Sequence, residues 1–160
     1  MAGLRSIKTG LLSLLVWVGV SAPAQALQLE AQRLSDNEVV LTLTLNKDGQ
    51  WCLHWQHSVA HFLVRDCFIW YQEQLMLSHS YQPDFAAGLD HLPGRGNLIS
   101  DGQGGYIIQD INEPLNNNEL VLRVGSTRVD HRIVQQGIST SLSDLAAGEL
   151  VRIRVQEAPL

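Results

Sequence analysis

The chain has 160 residues, 45% hydrophobic and 17% charged, with a formal net charge of −5 at pH 7. That acidic balance argues against nucleic acid or anionic lipid as the main partner. The length suits one domain built on one core.

The first 26 residues read as a secretory signal peptide. Arg5 and Lys8 form a basic start, Leu11 to Val20 is the apolar stretch, and Ala24-Gln25-Ala26 fits a small-x-small cleavage pattern. The apolar run is shorter than the ~20 residues a spanning helix needs. Cleavage after Ala26 leaves 27–160 as one exported, periplasmic domain with no stable membrane span. Losing Arg5 and Lys8 leaves nine basic against sixteen acidic residues. Both cysteines, Cys52 and Cys67, belong to this exported part. An even count in an oxidising compartment predicts one disulfide; two buried free thiols are the alternative.

The pattern beyond the leader is β almost throughout. Glu38 to Leu45 alternates apolar with polar residues and is rich in β-branched side chains. Lys47-Asp48-Gly49 is a turn. Trp51 to Ser58 and Val64 to Tyr71 are the next strands, followed by a turn at Gln72-Glu73-Gln74 and a strand from Leu75 to Tyr81. The character changes at Pro83: the stretch to Gly105 holds six of the thirteen glycines and reads as a long loop or two loose turns. Gly102 to Gly105 reverses the chain before a strand from Tyr106 to Ile111. After a turn at Asn116-Asn117-Asn118 come strands from Glu119 to Val124 and from Val129 to Val134. One helical turn, Ser141 to Ala147, ends at Gly148. In the last strand, Leu150 to Val155, one face carries Val151, Ile153 and Val155 and the other Arg152 and Arg154. About eight to ten short strands between turn residues predict a single all-β domain, a sandwich or a partly open barrel.

Pairing the strands around Trp51–Ser58 and His61–Phe68 as a tight hairpin about Val59-Ala60 sets Cys52 opposite Cys67. Opposed antiparallel residues sit ~4.5–5.5 Å apart at Cα, within reach of a disulfide. The same register pairs Trp51 with Phe68 and Trp55 with Val64. It puts Asp66 on the core face, near its edge. A carboxylate there needs a partner; His57, His131 and Arg123 are the candidates.

Several segments occur together in a fixed order: Trp55-Gln56-His57-Ser58-Val59, Asp66, Asp84-Phe85-Ala86-Ala87-Gly88-Leu89, Leu122-Arg123-Val124-Gly125, and Asp130-His131-Arg132-Ile133. In this the chain resembles domain-of-unknown-function family 1850, small exported bacterial proteins, over about Gln50 to Gln156. The chain departs from the family pattern at Phe62-Leu63, where Thr-Pro is usual, at Asp66, where Glu is usual, at Ala86-Ala87-Gly88, and at Asp90 in place of a proline. The resemblance implies a compartment and a context, namely genes beside TAXI-type TRAP transporters, but no reaction. It also implies a looser turn after Val59.

Three histidines, His54, His57 and His61, crowd one stretch. On a strand, His54 points away from His57, so the three do not converge on a metal, which needs three or four ligands in a tight shell. His57, Ser58, Asp66 and His131 hold the residue types of a nucleophile–base–acid set, but adjacent His57 and Ser58 face opposite ways and no Gly-x-Ser-x-Gly elbow is present. The simpler reading makes His57 a satisfied, half-buried side chain at a strand end. Donors from His57, Arg123, His131 and Arg132 suit a small organic anion, with backbone N–H groups near Gly88 approaching it. The binding or polar cluster is therefore assigned to His57, Ser58, Asp66, Gly88, Arg123 and His131, with no catalytic residue, cofactor or metal. The expected function is an exported accessory or small-ligand-binding module serving a TRAP-type transporter. The alternatives are a hydrolase or metal-binding protein using His57, Asp66 and His131, and a purely structural domain. Intact mass spectrometry of the exported protein is expected to give the mass of 27–160; a mass that includes the first 26 residues overturns the leader assignment.

Overall fold

The computed structural model describes residues 26–84 and 91–158. The expected leader, Ala26 apart, and Gly88 lie outside the described residues. In chain order the strands are β1 (Leu27–Arg33), β2 (Val39–Thr44), β3 (Trp51–Gln56), β4 (Leu63–Tyr71), β5 (Gln74–Gln82), β6 (Asn97–Ser100), β7 (Tyr106–Gln109), β8 (Glu113–Pro114), β9 (Glu119–Arg123), β10 (Arg132–Gln135), β11 (Ile138–Ser141) and β12 (Leu150–Glu157). One short helix, α1 (Ser143–Ala146), precedes β12. The smaller sheet runs β2-β1-β12-β9; the larger runs β11-β10-β3-β4-β5-β7-β6, with β8 also on β5. All the pairings are antiparallel. The architecture is an all-β sandwich, not a closed barrel, with twelve strands among the described residues where eight to ten were expected.

The extra strands have local causes. β1 alternates Leu27, Leu29 and Ala31 with Gln28, Glu30 and Gln32 and lies at the centre of the smaller sheet, between β2 and β12. β6 pairs with β7 inside the glycine-rich stretch. Asp101 closes that hairpin: its Oδ1 accepts from the N–H of Gln103 and of Gly105, and its Oδ2 from the Tyr81 hydroxyl. β11 is the return strand of a hairpin with β10, turning at Gln136-Gly137, both at positive φ.

The core lies between the two inner faces. From the smaller sheet come Leu29, Ala31, Val151, Ile153 and Val155; the larger adds Trp51, Leu53, Phe68, Leu75 and Ile133. As expected, the Val151-Ile153-Val155 face of β12 is buried, while Arg152 reaches Glu119 at 3.1 Å. Each such aliphatic residue stabilises the fold by about 1.5–3 kcal/mol on burial. Gly49 ends the turn before β3 at φ 58°, where a Cβ would come within 2.5 Å of the Trp70 Cβ. That position admits only glycine.

The β3–β4 register is the one read from the sequence. Trp51 pairs with Phe68, Cys52 with Cys67 and Trp55 with Val64. Trp51 and Phe68 stack with ring centroids 4.4 Å apart. Cys52 and Cys67 are bonded, with Cα atoms 4.0 Å apart, slightly inside the spacing anticipated for opposed residues. The turn is longer than the tight hairpin expected. His57 N–H donates to Phe62 O and His61 N–H to His57 O, so four residues, Ser58–His61, make the reversal. His61 takes the left-handed conformation, φ 56°. Lengthening the turn symmetrically leaves the register unchanged.

Removing the cross-link with Cys52→Ala/Cys67→Ala is expected to cost about 3 kcal/mol for a loop of this size. Urea unfolding of the two proteins measures it. Two reactive thiols in the untreated wild type would contradict the bond.

Candidate functional site

Eight strands cannot be covered by four. Where the smaller sheet ends, at β9, a cavity of about 450 Å³ opens against the inner face of β4 and β5. That volume is in the range of small-molecule sites. Phe68, Leu77, Leu115 and Leu120 supply apolar wall; Asp66, Ser80 and Gln82 supply one polar wall; Arg95 and Glu113 also line the cavity.

A bulge produces the polar wall. The β4–β5 register shifts between Cys67 and Phe68, which face His79 and Leu77 and leave Ser78 extra. Ser78 Oγ donates to the Cys67 carbonyl at 3.0 Å. One inserted residue reverses the parity of all that follows. Leu75 and Leu77 face the interior before the bulge, and Ser80 and Gln82 after it. Unbroken alternation would have sent His79 and Tyr81 inward instead.

Asp66 and Ser80 are then direct cross-strand partners, and Ser80 Oγ donates to Asp66 Oδ1 at 2.7 Å. The other carboxylate oxygen accepts from Trp55 Nε1 at 3.0 Å, across the diagonal of the β3–β4 pair. Gln82 Nε2 lies 3.4 Å from Ser80 Oγ. Asp66 thus has two neutral donors and no cation. The structure corrects the partners proposed for it, because His57, His131 and Arg123 are all engaged elsewhere.

His57 is buried and closes its turn: its Nδ1 accepts from the N–H groups of Val59 and Ala60 at 3.3 and 3.1 Å. With Nδ1 accepting, the ring N–H is the one at Nε2. Ser58 is exposed in the same turn. Arg123 is exposed on β9 and donates to the Gly148 carbonyl at 2.7 Å. His131 Nδ1 accepts from Gly125 N–H at 2.8 Å, and its backbone N–H donates to Ser143 Oγ, which donates on to Gly125 O. This knot ties the loop before β10 to α1. Burial pushes the His131 imidazole below its ordinary value, with Asp130 pulling partly the other way. His54 points away from the core, as strand parity requires, and burial and Arg65 lower it as well.

Trp55, Ser80 and Gln82 were missed from sequence, and of these Trp55 has the widest reach. Its indole lies 5.9 Å from the His57 ring and 6.3 Å from the His131 ring, while its N–H holds Asp66. Three of the expected site residues thus meet around one tryptophan, without bonding one another. The signal for it was present in the pairing: Trp55 sits two positions before His57 and diagonal to Asp66. Among the described residues, no three His, Cys, Asp or Glu side chains come together in a metal-holding group.

A family model described as a domain of unknown function, DUF1850, matches residues 52–142. The chain belongs to this family. The matched span contains the disulfide, the bulge and every residue named above as lining the cavity, while β1, β2 and β12 fall outside it. No curated protein and no solved structure matches the chain.

Because the His131 value is lowered in the fold, the unfolded chain binds that proton more readily. Stability is therefore full above about 6.5, the ordinary value, and falls as pH drops below it, levelling off beneath the depressed folded value. His54 and His79 are lowered by burial and act in the same direction. Urea midpoints at about pH 8 and about pH 5 should show this decline, and His131→Gln should make it shallower. An unchanged slope in the variant would remove His131 from the account.

Proposed function

We propose that the protein is an exported accessory domain that binds a small organic molecule between its sheets, in service of a TRAP-type transporter. The observation that carries the binding reading is the cavity with one wall of linked polar groups, Asp66, Ser80 and Gln82, among apolar ones. A few placed polar groups in an apolar hollow are the usual makeup of a ligand site. A core built for stability alone has no reason to leave such a hollow, since interiors are close-packed.

Export is supported by the leader-like start of the sequence and by the disulfide, which suits an oxidising compartment. Among the described residues no helix is long and apolar enough to cross a membrane. The transporter context rests on what the family resemblance implies.

Equilibrium dialysis against a periplasmic small-molecule extract, read by mass spectrometry, tests the reading. The wild type is expected to concentrate at least one compound. Leu77→Trp, which fills the cavity from its apolar side, is expected to lose that enrichment by about tenfold or more while keeping its fold by circular dichroism. If neither protein enriches anything, or both enrich the same compound equally, a purely structural domain is the better description.

A further inference from the structure

Two acceptors on the polar wall are incompletely used. Gln82 is 8% exposed, and its Oε1 is buried without a partner. The amide orientation follows from proton counting. The Ser80 hydroxyl has one proton, and it goes to Asp66 at 2.7 Å. Gln82 must therefore turn its NH₂ toward Ser80, leaving the carbonyl oxygen unpaired. An unsatisfied buried acceptor costs about 1–3 kcal/mol. The second acceptor is the Asp66 carboxylate, half-buried and held only by an indole and a hydroxyl. Each of its oxygens has a lone pair to spare, and a carboxylate in such a site lacks the counter-charge that burial calls for. The cavity's one cation among the described residues, Arg95, is already bonded to Glu113 at 2.6 Å.

We propose that the cavity recognises a compact amphiphilic amine in its ammonium form. The ammonium donates to Asp66 and Gln82 Oε1, and the hydrocarbon body lies against Leu77, Leu115 and Leu120. This rests on the reading of the cavity as a ligand site and narrows it. An ammonium carries donors and no acceptor, which matches a wall offering acceptors. A carboxylate ligand would set its charge against Asp66, so the organic anion expected from the sequence is the poorer match. The acidic surface also raises the local concentration of cations.

Calorimetric titration of the mature protein with hexylammonium chloride, sodium hexanoate and 1-hexanol compares head groups on one body. Hexylammonium is expected to bind at least about tenfold tighter than either of the others, a difference on the scale of a charge-assisted hydrogen bond. Gln82→Met keeps size and removes the orphan oxygen; Asp66→Asn removes the charge. Each is expected to weaken the amine by about tenfold, and Arg95→Gln to change it less than about twofold. Gln82→Met leaves the Trp55–Asp66–Ser80 bonds in place, so it decides the matter should Asp66→Asn fail to fold. Hexanoate binding tighter than hexylammonium, and lost in Arg95→Gln, overturns the amine proposal while leaving the cavity a ligand site. Failure of hexylammonium to bind alongside a positive dialysis result also overturns only the amine proposal; failure in both experiments overturns the two together.

Discussion

The register of the β3–β4 hairpin is the constraint from which the rest follows. Cys52 opposite Cys67 locks it covalently. With the pairing held, Trp51, Leu53, Val64 and Phe68 all turn inward, and the Trp51–Phe68 stack becomes the floor on which the smaller sheet rests. A slip of one residue would send these side chains to solvent. The register also places Trp55 on the diagonal to Asp66, so the bond that holds the core together geometrically holds the edge of the cavity as well.

The site is where two requirements of a sandwich conflict. The larger sheet needs cover on its inner face, and the smaller one is too narrow to provide it. The gap beside β9 is partly roofed by the segment from Glu113 to Leu120, pinned through Leu115 N–H to Leu75 O and through Asn118, whose side chain bonds Leu75 N–H and Glu73 O. Polar groups are tolerable there because they satisfy one another in series, from Trp55 through Asp66 and Ser80 to Gln82. The chain of bonds stops at Gln82 Oε1, one donor short of complete. Trp51, deep in the core, shows the opposite solution: its indole nitrogen has no acceptor, and stacking and burial of the ring carry its placement.

Much of the fold was legible because it was written in period two. Strands such as β12 declare their faces outright, and a turn centred on Val59-Ala60 gave a register in which the two cysteines face each other. β1 carries the same alternation, but it adjoins the leader-like segment, whose apolar residues mask its period. β6 was hidden by glycines that mark turns without excluding a four-residue strand between them. Asp66 was found as an acid needing a partner, yet its partners were not. Sequence favours opposite charge, whereas the fold offers an indole and a hydroxyl. Ser80 could not be found at all, since parity counted from Leu75 puts it outside. The histidines drew attention for their chemistry and proved to be fasteners, His57 for a turn and His131 for a loop and α1.

Along β5, side-chain identity does not decide what faces the hollow; the bulge does. Slide the strand by one residue so that Ser78 pairs with Cys67 and His79 with Asp66 and, with no substitution anywhere, Ser80 and Gln82 rotate to the outer surface while the imidazole of His79 and the phenol of Tyr81 take their places. The same letters then spell an aromatic, proton-bearing wall. Deleting Ser78 does the opposite: it straightens the ladder with Ser80 still opposite Asp66, so a strand one residue shorter presents the same polar wall that the bulged one does.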